Sequence, residues 1–111
     1  MAVTVKNIIP AKQAENTQTT QYTATNCQTI IDKFTVTNTS GGNVTFSVNI
    51  VTPAGSASDS NIYLDTRTIA QNETYTCPEI VGHVMGVNYF ISTLAGSAAS
   101  LTIAASGREI T

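Results

Sequence analysis

The chain has little charge. Only 11% of its 111 residues are Asp, Glu, Lys or Arg, against about a quarter in ordinary globular domains. A net charge of −2 leaves no basic field to hold nucleic acid or an anionic membrane. Tryptophan is absent and His83 is the single histidine. The two cysteines, Cys27 and Cys77, with one distant histidine, are too few for a structural zinc site. They read as two separate reduced, half-buried thiols; the alternative, a bridge between them, would contribute roughly 4 kcal/mol through the loop it closes. No apolar run approaches the roughly 20 residues of a membrane-spanning helix. The opening Met-Ala-Val-Thr-Val-Lys lacks the charged-then-apolar pattern of a secretory signal. The chain therefore reads as made and kept in a cytoplasm, unless a leader has been removed.

Hydroxyls stand where charges are missing. Nineteen threonines and nine serines dominate the polar positions. Threonine is β-branched and suits a pleated, half-wet surface. A surface with so few charges does little to resist association, which points to a subunit of an assembly.

The periodicity is that of strands. In Ile30–Val51, Ile30, Phe34 and Val36 share one parity, as do Val44, Phe46, Val48 and Ile50 after the turn. Alternate side chains leave a strand on opposite faces, so each arm has an apolar face and a threonine-rich one. Asn38–Asn43 between them contains Gly41-Gly42, which predicts a β-hairpin. Upstream, residues 1–9 alternate as a first strand that Pro10 stops or leaves at a sheet edge. Residues 11–29 are the most polar stretch. They read as a surface loop followed by a strand around Gln18–Thr25, or, more sharply, as an extended arm lying on a neighbouring subunit.

Downstream, Thr52–Ser60 is a loop of small residues. Asn61–Ala70 is a strand with a kink where its buried parity changes. Gln71–Glu73 turns the chain into a short strand at Thr74–Cys77. Pro78 and Glu79 open a single helical or 3₁₀ turn over 78–85. Val87–Leu94 has apolar residues on both parities and so reads as a central strand. Ala98–Ser106 closes the pattern, with Leu101 and Ile103 inward, and Gly107 breaks it before a short tail. Seven or eight short strands with turns about every ten residues predict one all-β domain over residues 1–111. Its expected form is an antiparallel β-sandwich, Ig-like or jelly-roll-like, or a small barrel, with at most one short helical connector.

Chemistry is sparse. A general base needs an orienting partner and a group to deprotonate. His83 sits between Gly82 and Val84, and the chain has no Gly-x-Ser-x-Gly elbow. Asp59, Asp65, Glu73 and Glu79 are scattered over different turns and strands and read as solvated acids rather than a catalytic pair. Gly41-Gly42 precedes a strand, whereas a phosphate cradle needs a following helix. Asn38-Thr39-Ser40, Asn43-Val44-Thr45 and Asn72-Glu73-Thr74 match the glycosylation acceptor pattern, which a Thr-rich chain produces by chance. Tyr22, Tyr63, Tyr75 and Tyr89 could stack against a sugar, but read more simply as buried or interfacial rings. No catalytic, cofactor-binding or metal-binding residue is assigned.

FTVTNTSGGNVTFSVNIV, then TIAQNETYTCPEIVGHVM, a Tyr-Phe-Ile strand and a closing TIAASGREIT follow one another over residues 30–111. This order resembles that of the small β-sandwich virion proteins of tailed bacteriophages. In those a valine–threonine–asparagine hairpin, a marked turn ahead of a tyrosine strand, a short connector and a strand ending in Ser-Gly-x-Glu recur. Residues 1–29 carry no part of the likeness. The resemblance implies a non-enzymatic structural subunit of a virion, made in the host cytoplasm, in capsid decoration or in a collar or tail. Its partners would be other virion structural proteins and further copies of itself, and no catalytic residue carries over. The alternative expectation is an adhesin-like or carbohydrate-binding sandwich that uses end loops such as Thr52–Ser60. An enzyme is the third and least favoured class.

Overall fold

The computed structural model describes residues 2–111; Met1, where the expected first strand began, lies outside the described residues. Nine strands run in chain order: β1 Val3–Gln13, β2 Thr19–Thr23, β3 Gln28–Asn38, β4 Val44–Val51, β5 Ile62–Ile69, β6 Thr74–Tyr75, β7 Val84–Met85, β8 Phe90–Ala95 and β9 Leu101–Ile110. They form two antiparallel sheets. The first has the order β1-β9-β3-β6, with β7 also on β3; the second has the order β2-β8-β4-β5. β6 and β7 pair with opposite ends of β3 on the same side and act as one interrupted strand. Counted so, the eight strands are shared four and four between the sheets in the order of a jelly roll, one of the two expected forms of the sandwich.

The two arms around Gly41-Gly42 do not form the predicted hairpin. β3 lies in the first sheet and β4 in the second, so Asn38–Asn43 is an arch from one layer to the other. Asn38 sets the arch. Its buried side chain donates from Nδ2 to the carbonyls of Gly42 and Ile69, both at 2.8 Å. Its Oδ1 accepts from the Ser40 backbone N–H at 2.9 Å and the Ser40 hydroxyl at 2.7 Å. One side chain of β3 thereby holds β5 of the opposite sheet, and all of its polar atoms are used. Two strands with the same alternation can pair edge to edge or face to face. Here they face each other, with the Phe34 and Phe46 rings 6.3 Å apart across the core.

The inward side chains are those the alternation predicted. Phe34, Val36, Val44, Phe46, Val48 and Ile50 are buried in one core with Ile31, Ile69, Ile91, Leu101 and Ile103. Ile30 is the exception: a register shift between Ile31 and Lys33 puts Ile31 inward and Ile30 on the outer face. The polar parity of β4 is covered as well. Asn49 is buried beneath the 52–61 loop, its Nδ2 donating to Ser58 O and Asn61 Oδ1.

Other elements have local causes. Pro10 stands on the sheet edge, the second of its two expected places, and β1 runs through it to Gln13, because it falls in a register shift between Ile9 and Lys12, where its missing donor costs no rung. Residues 11–29 finish β1, cross between sheets and add β2 to β8 within the expected Gln18–Thr25, with Tyr22 buried. The 78–85 segment opens with the expected single turn: the N–H groups of Ile80 and Val81 both reach the Cys77 carbonyl, at 3.0 and 3.3 Å, and that of His83 reaches Ile80 O at 3.2 Å. No regular helix follows, and the chain passes into the short β7. β8 begins at Phe90, since Asn88 has a positive φ of 65°. β9 continues through Gly107 to Ile110, because a Cβ there would overlap the Ile30 carbonyl and only glycine lets β3 approach. The kink expected in Asn61–Ala70 is present: β5 carries Thr66 at φ 47°, and its N–H is held by Ser47 Oγ at 2.8 Å.

Candidate functional site

The groups named for chemistry are dispersed. His83 is exposed in the connector and packs edge-on against Tyr63, ring centroids 4.7 Å apart. Glu73 accepts the Ala70 N–H and closes the β5–β6 turn. Glu79 accepts the Tyr75 hydroxyl at 2.6 Å, which holds its carboxyl below the usual range, while burial and this carboxylate push the Tyr75 phenol up to about 12. Arg67 stacks over the same ring, 4.1 Å from its centre. Asp59 and Asp65 do come together. With Gln18, Ser47, Ser58 and Thr66 they line a shallow polar depression of about 240 Å³ on the outer face of the second sheet. No aromatic ring lines it. The four tyrosines make no common platform: Tyr22 is buried, Tyr63 meets His83, Tyr75 meets Arg67, and Tyr89 lies against Gly86. Gly41-Gly42 serves the arch. Among the described residues, no group of three or more His, Cys, Asp or Glu is gathered as a metal site. Cys27 and Cys77 are separate free thiols, both buried, and burial pushes the Cys77 thiol up to about 12.

The arrangement that does gather is a surface on the first sheet. Its β9 ladder places Val5, Arg108, Ile30 and Val84 in one cross-strand row, and Val3, Ile110 and Gln28 in the next. Residues opposite one another point to the same face. Between these rows, Thr29 and Met85 are fully buried, so the Val5 and Val3 rows face outward. Val5 is 81% exposed, Val84 58% and Val3 54%, the three largest exposures among the big hydrophobic residues described. They form an aliphatic band four strands wide. Arg108 crosses it and pairs with Asp32 through both Nε and Nη2, at 3.0 and 2.9 Å. Each partner holds the other charged: the hydrogen bond lowers the Asp32 carboxyl and raises the Arg108 guanidinium. A second depression of about 330 Å³ adjoins the band, where β1 bulges beside Lys33, Thr35, Ala104 and Ser106.

Beneath the band lies a polar anchor that the sequence did not single out. The Tyr22 hydroxyl donates to Glu109 at 2.5 Å and is 2.7 Å from the Thr29 hydroxyl; Lys6 reaches the same carboxylate at 3.3 Å. The Tyr22 hydrogen bond, aided by Lys6 and opposed by burial, holds the Glu109 carboxyl low. Burial, then Glu109, raises the Tyr22 phenol. This network ties β2 of the second sheet to β1, β3 and β9 of the first, on the inner side of the rows that carry Val3, Val5 and Val84. What the arrangement offers is an aliphatic surface crossed by one mutually neutralising ion pair, Arg108–Asp32.

Fold and surface together define a jelly-roll β-sandwich with an exposed aliphatic band on its first sheet. No family model, curated protein or solved structure matches the chain.

Proposed function

We propose that this protein is a non-enzymatic structural subunit of a tailed-phage virion, in capsid decoration or in a neck, collar or tail position. The aliphatic band of exposed Val3, Val5 and Val84 with half-buried Ile30 and Ile110 carries the reading. Three valines at 54–81% exposure on one sheet face are costly to leave in water and useful only when another surface covers them. The jelly roll is an architecture that viral capsid and lectin domains share. Fold alone does not decide function, and the contact face is what favours the particle. Partners are other virion structural proteins and further copies of the chain; the low charge and the resemblance of residues 30–111 to such proteins agree with this.

The mechanism is geometric. The core fixes two layers, the Tyr22–Glu109 anchor fixes the end of the first sheet, and the band docks by exclusion of water. The test is particle incorporation. Val84→Asp places a charge in the band without touching the core, and should abolish or strongly reduce recovery of the protein in purified particles while its fold, read by circular dichroism, stays intact. Unchanged recovery overturns the assignment of the contact face. The lectin-like alternative rests on the polar depression around Asp59 and Asp65; retained sugar binding in Val84→Asp, lost in Asp59→Ala, would favour it.

A further inference from the structure

β1 ends its sheet, and the hydrogen bonds of that end determine which of its residues face outward along the edge. Ala2 and Thr111 exchange both bonds: Ala2 N–H to Thr111 O at 3.0 Å and Thr111 N–H to Ala2 O at 2.9 Å. In an antiparallel ladder bonded and non-bonded pairs alternate. Thr4–Glu109 and Lys6–Gly107 are therefore bonded pairs, and Val3–Ile110 and Val5–Arg108 are not. The N–H and C=O groups of Val3 and Val5 thus point away from β9, out of the sheet. Farther along, β1 is protected from pairing: its register shifts twice, between Lys6 and Ile9 and between Ile9 and Lys12, and Pro10 lies in the second shift. Only Ala2–Lys6 presents a regular, open edge.

We infer that this edge pairs antiparallel with β1 of a second copy of the chain, in a single frame set by residue chemistry. Outward-pointing groups must meet, so odd residues face odd residues. A frame centred on Lys6 sets Lys6 against Lys6, like charges directly opposed. A frame centred on Val5 pairs Val3 with Asn7, which lies at the first register shift. A frame centred on Thr4 sets Val3 against Val5 twice, Thr4 against Thr4 and Lys6 against Ala2. It uses regular backbone only, completes four main-chain hydrogen bonds and brings β-branched pairs together. The two-fold axis then stands perpendicular to the sheet, as an isologous contact requires. Both aliphatic bands fall on one side and join into a continuous face. This pairing deepens the contact reading, on which it rests, by naming a second copy as the occupant of the edge.

Backbone amide exchange on the isolated chain tests it, with sedimentation alongside. The Val3 and Val5 amides should exchange about tenfold more slowly at millimolar than at micromolar chain, while the Thr4 and Lys6 amides, bonded to β9, show no such dependence. Val5→Pro removes a donor used only between copies and should give a monomer at concentrations where the parent is a dimer. Val5→Lys, which keeps the backbone free to pair but adds repelling charge at the frame, should weaken the dimer as well. Concentration-independent exchange at Val3 and Val5, or dimers in Val5→Pro equal to the parent, overturns the pairing. A chain that stays monomeric yet enters particles overturns the pairing alone; a chain that dimerises but never enters particles overturns the virion reading and leaves the pairing standing.

Discussion

Replacing Phe46 by alanine probes the arch-and-sandwich arrangement at its centre. Phe46 lies on β4, between Arg67 of β5 and Ala95 of β8, with no exposed surface and its ring 6.3 Å from Phe34 of the opposite sheet. Losing the transfer free energy of a fully buried phenylalanine costs about 1.5–3 kcal/mol. The void left, roughly 100 Å³ before relaxation, adds about 2 kcal/mol at ~24 cal/mol per Å³. Both sheets are braced by long strands, so the walls collapse only in part, and the sum stays near 3–5 kcal/mol. A domain of this size has about 5–15 kcal/mol in total, so the variant folds but marginally. Urea unfolding followed by circular dichroism reads the effect. With a slope of about 1.5 kcal/mol per molar, the midpoint should fall by about 2–3 M at unchanged slope. A loss below about 1 kcal/mol would place Phe46 at the periphery and refute the core described above.

Asn38→Ala should cost about 2–3 kcal/mol by the same assay, since it strips partners from the Gly42 and Ile69 carbonyls at the arch; a neutral result would mean the arch is held elsewhere. Gly107→Ala should cost about 1–3 kcal/mol, because its Cβ meets the Ile30 backbone rather than a yielding side chain; full stability would show that β3 and β9 approach less closely. Stability should be flat from about pH 5 to 9 and fall on both sides. Glu109 and Glu79 have folded pKa values below the ordinary 4.5, so their contribution is present above it and is lost as pH falls through the folded values. The Cys77 thiol and the Tyr22 and Tyr75 phenols are raised, so their contribution is complete below the unfolded values of 9 and 10 and declines as pH rises beyond them. Tyr22→Phe should flatten part of each limb, and a midpoint profile identical to the parent's would show that the Tyr22–Glu109 pair adds nothing.

Local periodicity made most of the strands and the core legible. The parity of Val44, Phe46, Val48 and Ile50 named inward residues correctly because a strand's alternation is a local property. The partner of each strand is not local. The run through Asn38–Asn43 has the alternation and glycines of a hairpin, and only the Asn38 side chain's reach to Ile69, 31 positions away, makes it an arch. Pro10 reads as a stop or an edge mark and Gly107 as a breaker, and what each does depends on what lies beside it: a register shift on an edge strand for one, the Ile30 carbonyl for the other. Tyr22, alone in a polar stretch, reads as a buried or interfacial ring and is buried; its hydroxyl's bond to Glu109, 87 positions away, has no local signal. The exposed aliphatic band is hidden in the sequence because its register is not local. Val3, Val5, Ile30, Val84 and Ile110 are spread over the whole chain, and nothing local says that register aligns them on one side.

The proposed role, action through the first sheet as part of a particle, is open to covalent surface labelling of gradient-purified particles compared with the free chain. The protein should be present at a fixed ratio to the main shell protein, and Val3–Val5 and Val84 should label far less than in the free chain while the 52–61 loop is unchanged. Absence of the protein from purified particles, or full labelling of the band within them, would contradict it.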